Sequence, residues 1–252
     1  MQILMFSKQK GGVGASTLAR EIGVMAARDG WRVIFVDLDP QATLSRWWNR
    51  RTTGATEPPN PALIAPDPQQ LLATLQQLRE HNAGDLVIID VPPAIHSYML
   101  SVMQAADFIL VPCRPTSDDF EALPDIVEMI EQSGKCYAFA VTQAPTGRRI
   151  RAMEEALPIL ARQGRVAGVV RFRVAFPAAA AGGLCSSEYE PGGKASDEIR
   201  ELWAYVVNEL KKTQNAAAPR YPASAPSAAN DGNEGIRDGA VGGFNHALQS
   251  NG

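Results

Sequence analysis

The chain of 252 residues carries 24 lysines and arginines against 27 aspartates and glutamates, a net charge of −3, with 45% hydrophobic and 20% charged residues. That length accommodates one α/β domain with a sizeable core, and the charge gives no global attraction to nucleic acid, so DNA binding needs a local basic patch. No apolar run reaches the roughly 18 residues that span a bilayer, no signal-peptide pattern opens the chain, and three scattered cysteines, Cys113, Cys136 and Cys185, make neither a metal motif nor an even disulfide set, which fits a reducing cytoplasm.

In chain order, ILMF (residues 3–6) has the form of a short buried strand, and a glycine-rich loop follows it. STLAREIGVMAARDG then places Leu18, Ile22 and Met25 on one helical face, with Gly30 as the stop. RVIFVD (32–37) is a second buried strand, and QATLSRWWNRR fits a helix. The prolines of TTGATEPPNPALIAPDP exclude a regular element there. PQQLLATLQQLREHNAG is an amphipathic helix ended by Gly84. DLVIID (85–90), FILVPC (108–113), CYAFAVT (136–142) and RVAGVVRF (165–172) add four strand-like runs, most of them separated by helical patterns. Near-continuous apolar strands alternating with helices imply α/β architecture, a mostly parallel twisted sheet with helices on both faces.

The composition changes near Lys212. Residues 213–252 are rich in Ala, Gly, Pro, Ser and Asn, with too few large apolar side chains to offset the entropy of ordering them. The reading is a domain over 1–212 and a low-complexity, disordered tail over 213–252. Phe244 and Leu248 could anchor a partner there.

The chemistry concentrates in KQKGGVGAST (8–17). The loop lies between a strand and a helix, the setting a phosphate loop requires. Gly11, Gly12 and Gly14 let the backbone approach phosphate, and their N–H groups join the helix N-terminus in an anion cradle. Ser16 is placed to ligate Mg²⁺, and Thr17 to help hold an α-phosphate. Further along, VDLDPQ puts Asp37 and Asp39 at a strand end, and LVIIDVPP ends in Asp90, the form of a carboxylate that holds Mg²⁺ through water. Ligands of open α/β sheets collect at the carboxyl ends of the strands, so the three carboxylates are expected to converge on the loop.

KGGVGxST, VDLDPQ and VIIDVPP together resemble the deviant-Walker ATPases of the ParA/MinD type, over residues 1 to about 210. PTSDDFEAL is similar to the P-x-x-x-D segment of small plasmid-partition ParA proteins, and FRVAFPAAAAGG to the segment that borders the nucleotide before the last helix. The resemblance implies a P-loop NTPase fold and binding of ATP or ADP with Mg²⁺ by Gly11, Gly12, Val13, Gly14, Ala15, Ser16 and Thr17. It implies that Lys10 crosses an ATP-sandwich homodimer to the partner's phosphates, that Asp39 orients the attacking water, and that Asp37 supports Mg²⁺ from behind. Thr142, Gln143 and Pro177 match positions near the adenine loosely.

Ala15 departs from that pattern, which has a phosphate-binding lysine there. Charge-assisted hydrogen bonds contribute roughly 1.5–3 kcal/mol each, so the loss would weaken ATP binding by about one to three decades and hydrolysis more. An engineered replacement and a native departure both fit. Two basic segments stand out. Residues 148–173 hold Arg148, Arg149, Arg151, Arg162, Arg165, Arg171 and Arg173 with only Glu154 and Glu155 among them, a stripe suited to sequence-blind contact with DNA phosphates or a solvated helix face with internal ion pairs. RWWNRR (46–51) could form an aromatic-basic contact with nucleic acid or a helix docking Trp47 on the core, and the docking reading is preferred because tryptophan is usually well buried. IRELWAYVVNELKK (199–212) has acids on an otherwise apolar helix, which argues for packing on the sheet and against a membrane role.

The sequence therefore points to a cytoplasmic, nucleoid-associated ParA-like ATPase. It would dimerise with ATP, bind DNA non-specifically and position a cargo (a plasmid, a chromosome region or an assembly such as a carboxysome) through an adaptor protein that stimulates hydrolysis. The alternative is a non-hydrolysing nucleotide-binding scaffold whose dimerisation alone signals.

Overall fold

The computed structural model describes residues 1–57, 59–93, 98–146 and 150–217, with the backbone alone at 150–156, 216 and 217. Seven strands form one parallel sheet: β1 (Gln2–Phe6), β2 (Val33–Asp37), β3 (Ala62–Ile64), β4 (Leu86–Asp90), β5 (Phe108–Cys113), β6 (Tyr137–Ala144) and β7 (Val166–Arg171), in the spatial order β3-β2-β4-β1-β5-β6-β7. The chain builds outward on one side of β1, returns to insert β4 beside it, and continues on the other side with β5. This puts the reversal of strand order, and the crevice that accompanies it, at the carboxyl end of β1.

Side chains alternate across the pleat and seed two cores. Leu4, Phe6, Phe35 and Ile88 face one layer; Ile3, Met5, Ile34, Val87 and Ile89 face the other. The first layer holds α1 (Ala15–Arg28), α2 (Thr43–Thr52) and, later in the chain, α8 (Ala175–Ala181), α9 (Ser186–Tyr189) and α10 (Lys194–Ala217). The second holds α3 (Leu71–Glu80), α4 (Met99–Ala105) and α6 (Leu123–Ser133), with the short α5 (Ser117–Glu121) leading into α6 and α7 (Ile150–Gln163) beyond it. Helix α1 lies close on β2: a Cβ at Gly23 would stand 2.3 Å from the Phe35 ring, so only glycine allows this approach.

The sequence excluded any regular element from residues 52–68, and the structure corrects this. Ala62–Ile64 pairs in register with Ile34, Phe35 and Val36 as an edge strand. Proline is tolerated beside an edge strand that needs only one ladder, and Asn60 anchors the start by accepting from Val33 N at 2.9 Å. The helix assigned up to Gly84 ends earlier, at Glu80, where Asn82 takes a positive φ of 48°. Trp47 is fully buried, edge-on to Phe35, with its indole N–H donating to Leu184 O at 3.2 Å. Ile199, Leu202, Trp203, Val206 and Leu210 seat α10 on the sheet, where it meets β1, β5, β7 and α1. The boundary expected at 212 falls inside α10, which runs to Ala217; residues 218–252, with Phe244 and Leu248, lie outside the described residues. No helix among the described residues is long and apolar enough to cross a membrane.

Candidate nucleotide site

Strand register delivers the first group of site residues. Asp90, the last residue of β4, lies opposite Phe6 of β1 and Asp37 of β2. The segments that follow these strands therefore emerge side by side at one edge of the sheet. Ser7 N still donates to Leu110 O of β5 at 3.0 Å, after which the chain leaves the sheet and Lys8 turns toward β4. Its ammonium donates to Asp90 Oδ1 at 2.9 Å and to Asp39 Oδ2 at 3.1 Å, and the residue is only 5% exposed. The other Asp90 oxygen accepts from the Ser16 hydroxyl. Burial pushes the Asp90 carboxyl above the ordinary carboxylate range, and the Lys8 charge and the Ser16 hydroxyl oppose that rise.

Asp39 and Asp90 thus meet at one cation, while Asp37 faces the start of α2. Asp37 accepts from Ser45 N at 2.9 Å, from Ser45 Oγ at 2.6 Å and from Asp39 N at 3.2 Å. It fixes the backbone that carries Asp39 and the start of α2.

The loop itself is shaped by glycine. Gly12 and Gly14 have φ of 77° and 85°, a region where other residues are strained. Gly14 is the residue before α1 and no side chain caps the helix, so the first-turn N–H groups are available to an anion. A Cβ built at Gly11 or Gly12 would meet nothing within 4 Å, so the loop surface is open to a ligand. From below, Thr142 Oγ1 lies 2.7 Å from Val13 O and 3.2 Å from Cys113 O, and Gln143 Nε2 donates to Gly12 O at 2.6 Å. Thr142 and Gln143, expected near a base, tie down these loop carbonyls and also border the cleft beside the loop.

Beside the loop lies a cleft of about 540 Å³, bounded by Gly14, Thr17, Thr142, Gln143, Phe176 and Pro177 and by four arginines, Arg20, Arg50, Arg171 and Arg173. Arg20 is 7% exposed, and its Nη2 reaches Phe176 O at 3.3 Å while its buried Nε has no partner among the described residues. Ala15 contributes a buried methyl group to the core and no charge. Lys10 is half-exposed at the far side of the loop, donating to Asp118 O at the start of α5.

Ser16, Asp90 and Asp39 offer hard oxygen ligands of the kind Mg²⁺ takes, and among the described residues no group of three or more His, Cys, Asp or Glu forms a cage for a metal. Mg²⁺ usually relies on one or two carboxylates plus the phosphates of its nucleotide, so the residues fit a metal that arrives with its nucleotide.

The arginine stripe is reorganised by the fold. Counting only Glu154 and Glu155 as neighbouring acids overlooked α10, whose acids come from far along the chain. Glu209 receives Arg165 at 2.8 Å, and Glu198 receives both Arg171 and Arg173, at 2.9 and 2.6 Å. Arg162 is exposed in the last turn of α7. Arg148 and Arg149 lie outside the described residues, as does the side chain of Arg151.

Sequence reasoning missed Lys8 and Arg20. The signal for Lys8 was its position two residues past the end of a strand, at the edge where the aspartates were expected. Arg20 sits one helical turn after Ser16 and Thr17, on the face that a phosphate loop turns toward its ligand.

Residues 4–186 match the family model described as the CobQ/CobB/MinD/ParA nucleotide binding domain. The maintenance of carboxysome distribution protein A of Gloeobacter kilaueensis is 32% identical over 213 residues, 81% of this chain and 91% of that protein. Among solved structures, the septum site-determining protein MinD of Pyrococcus horikoshii, complexed with Mg-ADP, has a TM-score of 0.68 at 16% identity, covering 84% of this chain and 98% of that one. A Cyanothece McdA variant in complex with ATP has a TM-score of 0.65 at 19% identity, covering 84% and 96%. With the parallel sheet, the glycine loop and the strand-end aspartates in place, the chain belongs to the CobQ/CobB/MinD/ParA nucleotide-binding family.

Proposed function

We propose that the protein is an ATP-driven positioning ATPase of the ParA type. The observation that carries the reading is the uncapped start of α1 behind an open glycine loop, with the Ser16 hydroxyl on Asp90 and Asp39 one lysine away. Backbone N–H groups of Gly11 to Thr17 receive the phosphates. Ser16 and Asp90 hold Mg²⁺, with Asp37 supporting from behind, and the cleft beside Pro177 receives the nucleoside. When bound, Mg²⁺ supplies neutralisation of the phosphate charge. Asp39 orients the attacking water, and Lys10 leaves Asp118 to reach the phosphates of a second copy in an ATP-dependent homodimer.

The dimer binds DNA without sequence preference, through Arg148, Arg149, Arg151, Arg162 and Arg165. An adaptor protein on the cargo stimulates hydrolysis, and the Gloeobacter relative makes a carboxysome a natural cargo class. The protein works in the cytoplasm, on the nucleoid. Ala15 leaves the helix start without an ammonium, so turnover is slow.

The test follows mass by light scattering, duplex binding by gel shift and phosphate release on the same samples. ATP with Mg²⁺ should convert monomer to dimer. DNA affinity should rise with it and fall by about 0.9 log units per contacted phosphate for each log unit of salt. Dimerisation without phosphate release at any adaptor or DNA concentration would leave the scaffold reading instead, which Ala15 favours. No response of mass to ATP would refute both.

A further inference from the structure

A buried lysine loses its hydration and persists only where partners replace the water. Lys8 has two such partners, Asp90 at 2.9 Å and Asp39 at 3.1 Å. An ammonium carries three donors, and among the described residues these two bonds leave one. The location matters as much as the pairing. Ser16 donates to the second oxygen of the same Asp90 carboxylate, so the Lys8 ammonium and the Ser16 hydroxyl are separated by a single carboxylate group. Ser16 is the neighbour of Ala15, where the resembled pattern places its phosphate lysine. A positive charge therefore reaches that corner from the strand end although none comes from the helix.

The charge count agrees. Residues 8–17 contain two lysines, Lys8 and Lys10, and no acid, the same count as a loop with lysines at 10 and 15. Without Lys8, Asp39 and Asp90 would present two uncompensated carboxylates to an incoming polyphosphate, and like charges at short range in a poorly hydrated corner repel strongly.

We propose that Lys8 is the phosphate-site cation of this chain, displaced from the helix start to the end of the first strand, and that Ala15 is a compensated native position. This rests on the nucleotide reading above. Its third donor serves a phosphate oxygen, while its hold on Asp39 restrains the residue assigned to the attacking water. The two effects together give nucleotide binding that survives Ala15 and turnover that stays low.

The test uses the full chain and three variants: Lys8→Met, Ala15→Lys and the double variant. Affinity for methylanthraniloyl-ATP with Mg²⁺ is measured by fluorescence, beside thermal melts that report folding. Lys8→Met should weaken binding tenfold or more, and the double variant should return to within about threefold of the parent. Ala15→Lys alone should gain less than about threefold, because a second ammonium then crowds the first. This arm keeps Lys8 in place and so decides the matter even if Lys8→Met fails to fold. A gain of tenfold or more from Ala15→Lys alone, unchanged affinity in folded Lys8→Met, or a double variant that regains nothing would each overturn the proposal and reduce Lys8 to a strand-end ion pair. A parent chain that binds no nucleotide would overturn the nucleotide reading along with it.

Discussion

The corner around Asp90 and the cleft beside Pro177 flank the same glycine loop and are built in opposite ways. At the corner, Lys8, Ser16, Asp39 and Asp90 hold one another in place at close range through their own side chains. In the cleft, the buried Arg20 Nε has no partner among the described residues, and the lining mixes arginines with Phe176 and Pro177 around open space. A preformed charge cluster gains by not reorganising when charge develops. An open, largely apolar cleft gains from burying a flat ligand and supplies a few polar contacts for orientation. The corner is thus suited to phosphate and metal, and the cleft to the nucleoside that precedes them.

The sharpest way to break this division is at its most buried member. Asp90→Ala removes the group that joins Lys8 to Ser16 and leaves the ammonium with Asp39 alone. Breaking a buried pair by removing one partner costs about 3–5 kcal/mol, so the urea midpoint should fall steeply. Binding of Mg-nucleotide should fall beyond detection as well. A variant with parent-like stability would show that the corner is hydrated and only loosely held. The counterpart in the cleft is Arg20→Met. Arg20 is buried, and burial pushes its guanidinium below the ordinary arginine range, so replacing the charge with a similar apolar volume should change stability by less than about 1 kcal/mol. Nucleotide affinity should nonetheless drop about tenfold, the equivalent of about 1.4 kcal/mol. If stability falls as much as in Asp90→Ala, the cleft too is a preformed charge cluster and the contrast fails.

The two regions also differ in how far they could be read from the sequence. Loop, helix start and aspartates were legible because each carries a local signal: glycines before a Ser-Thr pair, and acids closing apolar strands. Parallel register then brings Asp37 and Asp90 into one row, as apolar strands separated by helices imply. The unread parts depend on contacts between distant segments. Glu198 and Glu209 lie on α10, well past the arginines they pair with, so no count of neighbouring acids could find them. Lys8 was hidden by the motif around it: Lys10 matched a known role, and a second lysine two residues earlier reads as surface until the strand ends are placed. The edge strand at Ala62–Ile64 escaped because its flanking prolines mark a loop, although three residues suffice for one ladder.

The smallest effect tests whether the cleft wall is held by charge. Arg171 and Arg173 line the cleft and both bond Glu198, which is 8% exposed. Burial works to raise the Glu198 carboxyl, but the hydrogen bonds from Arg173 and Arg171 overcome it, and the net direction is below the ordinary glutamate range. A carboxylate depressed in the folded state adds stability above its unfolded value, near 4.3, and loses that stability as pH falls through the folded value. Both arginines remain partly exposed, at 33% and 21%, so solvent screening limits the contribution to about 1 kcal/mol. Melting temperature measured from pH 6 to pH 3 should therefore fall more steeply for the parent than for Glu198→Gln below about pH 4.3, and the two should differ by a constant offset above it. At neutral pH Glu198→Gln frees two guanidinium groups at the cleft wall, which should alter affinity for the nucleoside end of the ligand and leave the Asp90 corner unchanged. Inorganic pyrophosphate with Mg²⁺ probes the corner alone, so equal binding by parent and variant, beside unequal binding of ATP, keeps the two regions separate. A shift in pyrophosphate affinity as large as that in ATP affinity would mean that the cleft wall and the corner act as one site.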